Sequence, residues 1–194
     1  MTHDPITKFT SWLKDAIHHK HIGEPTAMCL ATADKQGEPS ARMVLLKEVD
    51  TRGFVFYTNN ESHKGHDLAE NPRVALVFYW QPLGRQVRVE GVAEPVSAEE
   101  ADAYFQSRAR DSRIGAWASK QSRPMEKPTA LLEAVAREAL RFGVGEVPRP
   151  PYWSGWRVVP RVIEFWTEKP FRLHEREVYT HEATGSWEVT HLYP

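Results

Sequence analysis

The sequence predicts a mainly β protein, an antiparallel meander or Greek-key barrel with flanking helices. Two observations predict it. Five short runs rich in β-branched and aromatic residues follow one another between positions 27 and 96. Tight turn signals separate them, namely Asp34-Lys35-Gln36-Gly37, Asp50-Thr51-Arg52-Gly53 and Gln81-Pro82-Leu83-Gly84. Strands joined by tight turns pair antiparallel, whereas parallel strands need long crossovers.

Residues 5–20 come first, with Ile6, Phe9, Trp12, Leu13 and Ile17 at helical spacing, so an amphipathic helix is expected. The period then changes, and strands are expected over 27–33, 41–49, 54–58, 74–80 and 86–96. The segment 62–70 reads as a single inserted helix, ended by Asn71-Pro72. Ser97-Ala98-Glu99-Glu100 is a capping box and opens a helix through Phe105. A further helix over 128–142 stops at Gly143, a proline-rich loop covers 146–151, and strands over 156–167 and 177–190 close a tryptophan-rich tail. One domain spans 1–194: an N-terminal helix within 1–22, a barrel core over 23–96, a helical insertion over 97–142 and C-terminal strands over 152–194.

Composition narrows the function classes. The chain has 194 residues, 41% hydrophobic and 26% charged, ordinary values for a soluble globular protein. Its 25 Lys and Arg nearly cancel its 26 Asp and Glu, so no global field attracts nucleic acid or an anionic membrane, and neither is expected as a partner. The single cysteine, Cys29, sits in an apolar run and is expected to be a buried small hydrophobe in a reducing compartment. No apolar stretch approaches membrane-spanning length and no signal-peptide pattern opens the chain, so a cytoplasmic location is expected. His18, His19 and His21 end the first helix without companion ligands, so no metal site is expected.

The segment 107–122 does not read as core. It gathers Arg108, Arg110, Arg113, Lys120, four serines and Gln121 around a small apolar knot from Ile114 to Ala118. It has too few apolar residues for a core helix and lacks strand alternation. Arginine forks and serine hydroxyls are suited to holding a phosphate. Elsewhere Arg42 and Lys47 stand an odd number apart, so a regular strand sends them to opposite faces, either as solvated strand ends or as two anion contacts. Tyr57, Thr58, Ser62, His63 and Lys64 run from a strand end into a helix start, where free amides favour a phosphate, although an ordinary N-cap would look the same. Gln86 heads a strand, as a surface residue or as a reader of a heteroaromatic edge. Arg172, His174 and Arg176 alternate, so one strand face is expected to carry all three, against an anion or on an exposed edge strand.

In chain order, the segments RMVLLK, FVFYTN-x-x-S-x-K, RQVRVEG, YFxSRxRDSxIGAWASxQS, VPRPPYWSGWRVVPxxIEFW and RLHER resemble the pyridoxamine 5'-phosphate oxidase family of FMN-binding split-barrel proteins. The resemblance covers nearly the whole chain. It implies a homodimeric FMN-binding split β-barrel with the flavin at the dimer interface. The FMN site would comprise Arg42, Val44, Leu45, Lys47, Tyr57, Thr58, Ser62, His63, Lys64, Gln86, Gln121, Ser122, Trp166 and Arg176. Of these, Gln121, Ser122, Trp166 and Arg176 would cross from the other subunit. Lys47, Tyr104, Arg108 and Ser112 would clamp a substrate phosphate, with Arg172 and His174 over the ring as the catalytic pair that orients it and takes up its proton. The implied activity converts pyridoxamine or pyridoxine 5'-phosphate to pyridoxal 5'-phosphate, with O2 as acceptor and H2O2 released. A phenazine-type FMN oxidase or a non-catalytic flavin or pyridoxal phosphate binder are the alternatives. Three features depart from the family pattern. His63 stands where a second arginine is frequent, which would make one phosphate contact pH-dependent. Ala109 replaces a frequent proline, and the extension whose Arg and Tyr help cover the active site has no counterpart ahead of the first helix, so looser closure is expected.

Overall fold

Local turn chemistry sets the first pairing in the computed structural model, which describes residues 4–194. β1 (Ala27–Ala33) and β2 (Pro39–Leu45) form a hairpin because the Asp34 carboxylate accepts from the amides of Gln36 at 2.8 Å and Glu38 at 3.0 Å. Gly37 supplies the positive φ of 90° that this turn needs. β3 (Glu48–Asp50) and β4 (Gly53–Asn59) make the next hairpin, and β5 (Arg73–Trp80) and β6 (Arg85–Pro95) the third. β7 (Trp153–Thr167), β8 (Glu175–His181) and β9 (Trp187–Leu192) complete one antiparallel sheet of nine strands. Its order is β2-β1-β5-β6-β7-β4-β3, with β8 on β7 and β9 on β8.

The sheet curls into the expected barrel because β2 and β3, its two ends, are consecutive in the chain. The Leu46 amide donates to Thr26 O at 2.9 Å and the Lys47 amide to Val55 O at 2.8 Å, so this link ties both ends. β7 is long enough to serve two neighbours on one edge, β4 along its first half and β8 along its second. A bulge at Glu90/Gly91 faces Pro160, and a Cβ on Gly91 would stand 2.2 Å from Val159 O, so only glycine fits there.

α1 (Pro5–His18) closes the barrel core. Asp4 caps it by accepting from the amides of Ile6 and Thr7, and one stripe, Ile6, Phe9, Leu13 and Ala16, is buried. Phe9 is fully enclosed, 4.9 Å from both the Phe54 and Phe78 rings, an anchor contributing about 3–5 kcal/mol against alanine. A second, smaller core of Phe105, Ile114, Val147 and Trp153 lies under α3 (Ala98–Ser107), α4 (Arg110–Ala118) and α5 (Ala130–Phe142). The capping box of Ser97 and Glu100 forms as expected. α2 (His63–Glu70) is the inserted helix between β4 and β5.

Several expectations are corrected. The strand expected over 41–49 breaks at Leu46-Lys47, where the chain passes from β2 to β3. Residues 110–118 are helical, since burying Ile114 and Ala118, four apart, suffices for a short helix over the small core. The strand expected over 177–190 is two strands, joined by a turn at Gly185 with φ 85°. β7 begins at Trp153, three residues earlier than expected, and Cys29 is half-buried. Among the described residues no helix is long and apolar enough to cross a membrane.

Candidate active site

A cavity of about 720 Å³ opens between the barrel and its helical layer, within the usual size range of a cofactor site. Its aromatic wall is a consequence of register. β4 pairs with β7 so that Tyr57 lies opposite Gly155, where a Cβ would stand 2.6 Å from the Tyr57 ring. The glycine lets that ring stack on Tyr104 of α3 at 4.0 Å and 12°, and lie parallel to Trp153 at 5.3 Å and 7°.

Three cations face this wall: Lys47 at the β2–β3 break, Lys64 in the first turn of α2, and Arg108 between α3 and α4. α2 can start here because Ser62 accepts from the Gly65 amide at 3.3 Å, and because Gly65 lacks a Cβ that would meet Asn60 O at 2.2 Å. Lys64 Nζ donates to Thr58 Oγ1 at 3.1 Å, Ser62 Oγ at 3.2 Å and Gln121 Oε1 at 3.0 Å. Burial, and then the nearby Arg42 charge, push its pKa below the ordinary lysine range. The Arg108 guanidinium lies 4.8 Å over Trp153 and 5.5 Å over Phe105, and burial lowers its pKa too. Its Nη1 is buried without a hydrogen-bond partner among the described residues. Among the described residues no acidic side chain lines the cavity, so these cations are not neutralised there. An orphaned guanidinium N–H and uncompensated charge beside stacked rings suit a flat, anionic, aromatic ligand.

The chain thus brings together Val44, Leu45, Lys47, Tyr57, Thr58, Lys64, Gln121, Tyr104, Arg108 and Ser112. Gln121, expected from the other subunit, bonds to Lys64 of its own chain. Ser62 stands behind Lys64, buried. Arg42 does not line the cavity. It is held by Thr32 Oγ1 and Ser40 Oγ, both at 2.7 Å, and by buried Asp67 at 3.6 Å. Lys47 reaches the cavity through the break in the strand rather than through alternation. His63 is exposed and faces Asp67 at 3.6 Å, and Ser122 is exposed at a positive φ of 68°.

A second group lies apart from the cavity within one chain. Gln86, Trp166 and Arg176 are in register across β6, β7 and β8. Arg176 Nε donates to the buried Glu164 at 2.7 Å, and Arg88 Nη1 donates to the same carboxylate at 3.0 Å. The His174 ring lies 4.7 Å from Trp166. The expected shared strand face of Arg172, His174 and Arg176 is not formed. Pro170–Arg172 is a 3-10 turn with positive φ at Phe171 (59°) and Arg172 (61°), and β8 starts only at Glu175. The proline lacks an N–H for a ladder, so the strand period cannot run through this segment.

Sequence reasoning missed Trp153, Asn59 and Met43, which line the cavity, and the buried acids Asp67 and Glu164. Glu164 carries a legible signal, an acid between Ile163 and Phe165 in an apolar strand, since a buried carboxylate demands a cationic partner. Among the described residues no cluster of metal-ligating side chains occurs.

The family model described as "Pyridoxamine 5'-phosphate oxidase" matches residues 14–141, and "Pyridoxine 5'-phosphate oxidase C-terminal dimerisation region" matches 153–194. The pyridoxine/pyridoxamine 5'-phosphate oxidase of Maricaulis maris is 62% identical over 192 residues, 98% of this chain and 86% of the relative. A second such protein, from Ralstonia nicotianae, is 58% identical over 98% of this chain and 90% of its own. Among solved structures, PhzG of Burkholderia lata 383, in complex with tetrahydrophenazine-1-carboxylic acid, superposes with a TM-score of 0.92 at 32% identity, over 98% of this chain and 93% of that one. With both family models matching and relatives this similar over nearly all of its length, the chain belongs to the pyridoxamine 5'-phosphate oxidase family.

Proposed function

We propose that this chain is an FMN-dependent oxidase that converts pyridoxamine 5'-phosphate and pyridoxine 5'-phosphate to pyridoxal 5'-phosphate, with O2 as acceptor and H2O2 as the second product. The observation that carries this reading is the cavity itself, lined by three cations, free of acids and walled by stacked aromatic rings. The orphaned Arg108 Nη1 fits one phosphate, and the desolvated Lys64 at the start of α2 fits another. FMN, when bound, supplies the two-electron acceptor chemistry and its reoxidation by oxygen.

The residues divide by place. Lys64, Thr58, Ser62 and the α2 N-terminus hold the flavin phosphate, with Arg42, His63, Gln121 and Ser122 around them. The backbone from Val44 to Lys47 and the Tyr57 ring flank the flavin ring. Lys47, Tyr104, Arg108 and Ser112 clamp the substrate phosphate, where Tyr104 and Ser112 offer hydroxyl donors and Arg108 a fork. Gln86, Trp166, Arg172, His174 and Arg176 serve the cavity of a partner in a homodimer, with the flavin between subunits. That none of them lines the cavity of its own chain supports this, as does the position of all but Gln86 in the segment matched by the dimerisation-region model. Arg172 and His174 hold and orient the substrate ring. Residues 1–194 act as one domain, and a free cysteine suits the cytoplasm.

The test is oxygen consumption by FMN-loaded protein given either phosphorylated substrate, with pyridoxal phosphate followed by absorbance. Turnover on either is expected. Tight flavin binding without turnover on both would overturn the reading, in favour of a binding protein or a phenazine-type substrate.

A further inference from the structure

The proton on the His174 imidazole has a determinable position. The backbone amide of Lys169 donates to His174 Nδ1 at 3.2 Å. A backbone N–H can only donate, so Nδ1 presents a lone pair there, and in the neutral ring the single proton resides on Nε2. The fold builds this contact. The turn at Pro170–Arg172 reverses the chain, the Leu173 amide bonds to Pro170 O at 3.2 Å, and two residues with side chains, Phe171 and Arg172, hold left-handed φ values of 59° and 61°. Such conformations cost about 1–2 kcal/mol per residue, so the surrounding contacts must hold the turn in place. The Trp166 ring, 4.7 Å away and tilted by 43°, covers the imidazole. Among the described residues nothing accepts from Nε2.

We infer that His174 acts in the oxidase reaction as a hydrogen-bond donor through Nε2–H, and not as the acceptor of the substrate's proton. This rests on the oxidase reading above and reverses the general-base role that the sequence resemblance implies for this residue. The adjoining Arg172 is a permanent cation and cannot take up a proton either. The pair therefore holds lone-pair-bearing atoms on the substrate ring and stabilises negative charge there, and the proton leaves to water. Lys169 positions the imidazole through its backbone amide, and its side chain pairs with Glu175 across the same turn at 3.1 Å.

The direct test is nitrogen NMR of histidine-labelled, FMN-loaded protein, with His174 assigned by its loss in His174→Gln. A one-bond proton coupling on Nε2 and none on Nδ1 is expected, while a proton on Nδ1 overturns the inference. The kinetic test compares His174→Gln, whose amide NH2 reaches the Nε2 position, with His174→Asn, which reaches only the Nδ1 position. Glutamine should stay within about 10-fold of the parent kcat and asparagine should fall by about 100-fold, the usual effect of deleting one aligned donor. Equal losses, or a better asparagine variant, overturn the donor role. The NMR result does not depend on turnover. An inactive parent with the expected tautomer would therefore indict the oxidase reading and leave the proton's position established.

Discussion

Replacing Arg108 by methionine should move stability and activity in opposite directions. In the protein without ligand, the guanidinium is half-buried, Nη1 has no partner among the described residues, and its compensation there is its position over Trp153 at 4.8 Å and Phe105 at 5.5 Å. An unsatisfied buried donor costs about 1–3 kcal/mol. The cation–π contacts return about 0.5–1 kcal/mol. Methionine keeps the aliphatic bulk and removes both terms, so the ligand-free protein should gain about 1 kcal/mol, roughly 2–4 °C in Tm for a chain of this size. Against a phosphorylated substrate the same change deletes a charge-assisted hydrogen bond worth about 1.5–3 kcal/mol, a loss of roughly 10- to 150-fold in kcat/KM. Differential scanning fluorimetry of the apoprotein and steady-state oxygen consumption of the FMN-loaded protein read the two effects separately. A Tm lowered by several degrees with kcat/KM unchanged would refute the reasoning, since Arg108 would then be a structural residue whose orphaned Nη1 has no ligand to meet.

Three further outcomes are expected. Lys64 has a lowered pKa in the ligand-free fold, so the unfolded chain binds more protons in the window between that value and the ordinary one, and stability rises with pH through it. FMN binding should then weaken as pH rises through the lowered Lys64 pKa, and Lys64→Arg should remove this fall in a fluorescence titration of flavin at several pH values. Gly155→Ala places a Cβ 2.6 Å from the Tyr57 ring and 2.8 Å from Val96, costing about 1–3 kcal/mol by thermal denaturation and raising KM as the Tyr57–Tyr104 stack shifts. Glu164→Gln leaves Arg176 and Arg88 without their shared carboxylate. A loss of about 2 kcal/mol in stability and weaker FMN retention on gel filtration should follow, whereas unchanged retention would separate Arg176 from the cofactor site.

The sequence determined what depends on neighbours along the chain. The turn at Asp34 and Gly37 and the capping box at Ser97 are local features and appear where expected, and the stripe of α1 does so for Ile6, Phe9 and Leu13, whereas Ile17 is exposed. The cationic, serine-rich character of 107–122 was legible for the same reason, because it lies in residue types along the chain, with too few apolar residues for a core helix. Its helicity was not, because a helix that buries only Ile114 and Ala118 takes its stability from the layer it covers. Tertiary structure decided the rest. Lys47 faces the cavity because the sheet closes at Leu46-Lys47, a long-range tie between Thr26 and Val55 that no local period encodes. Arg172 and His174 leave the strand pattern because a proline and two left-handed residues reverse the chain, and that reversal fixes the imidazole proton. Residue types named the chemistry, since a guanidinium or a hydroxyl has the same donors wherever it sits. Which of those donors lie within reach of one ligand depends on register and closure, set by contacts between residues far apart in the chain, such as Tyr57 and Gly155.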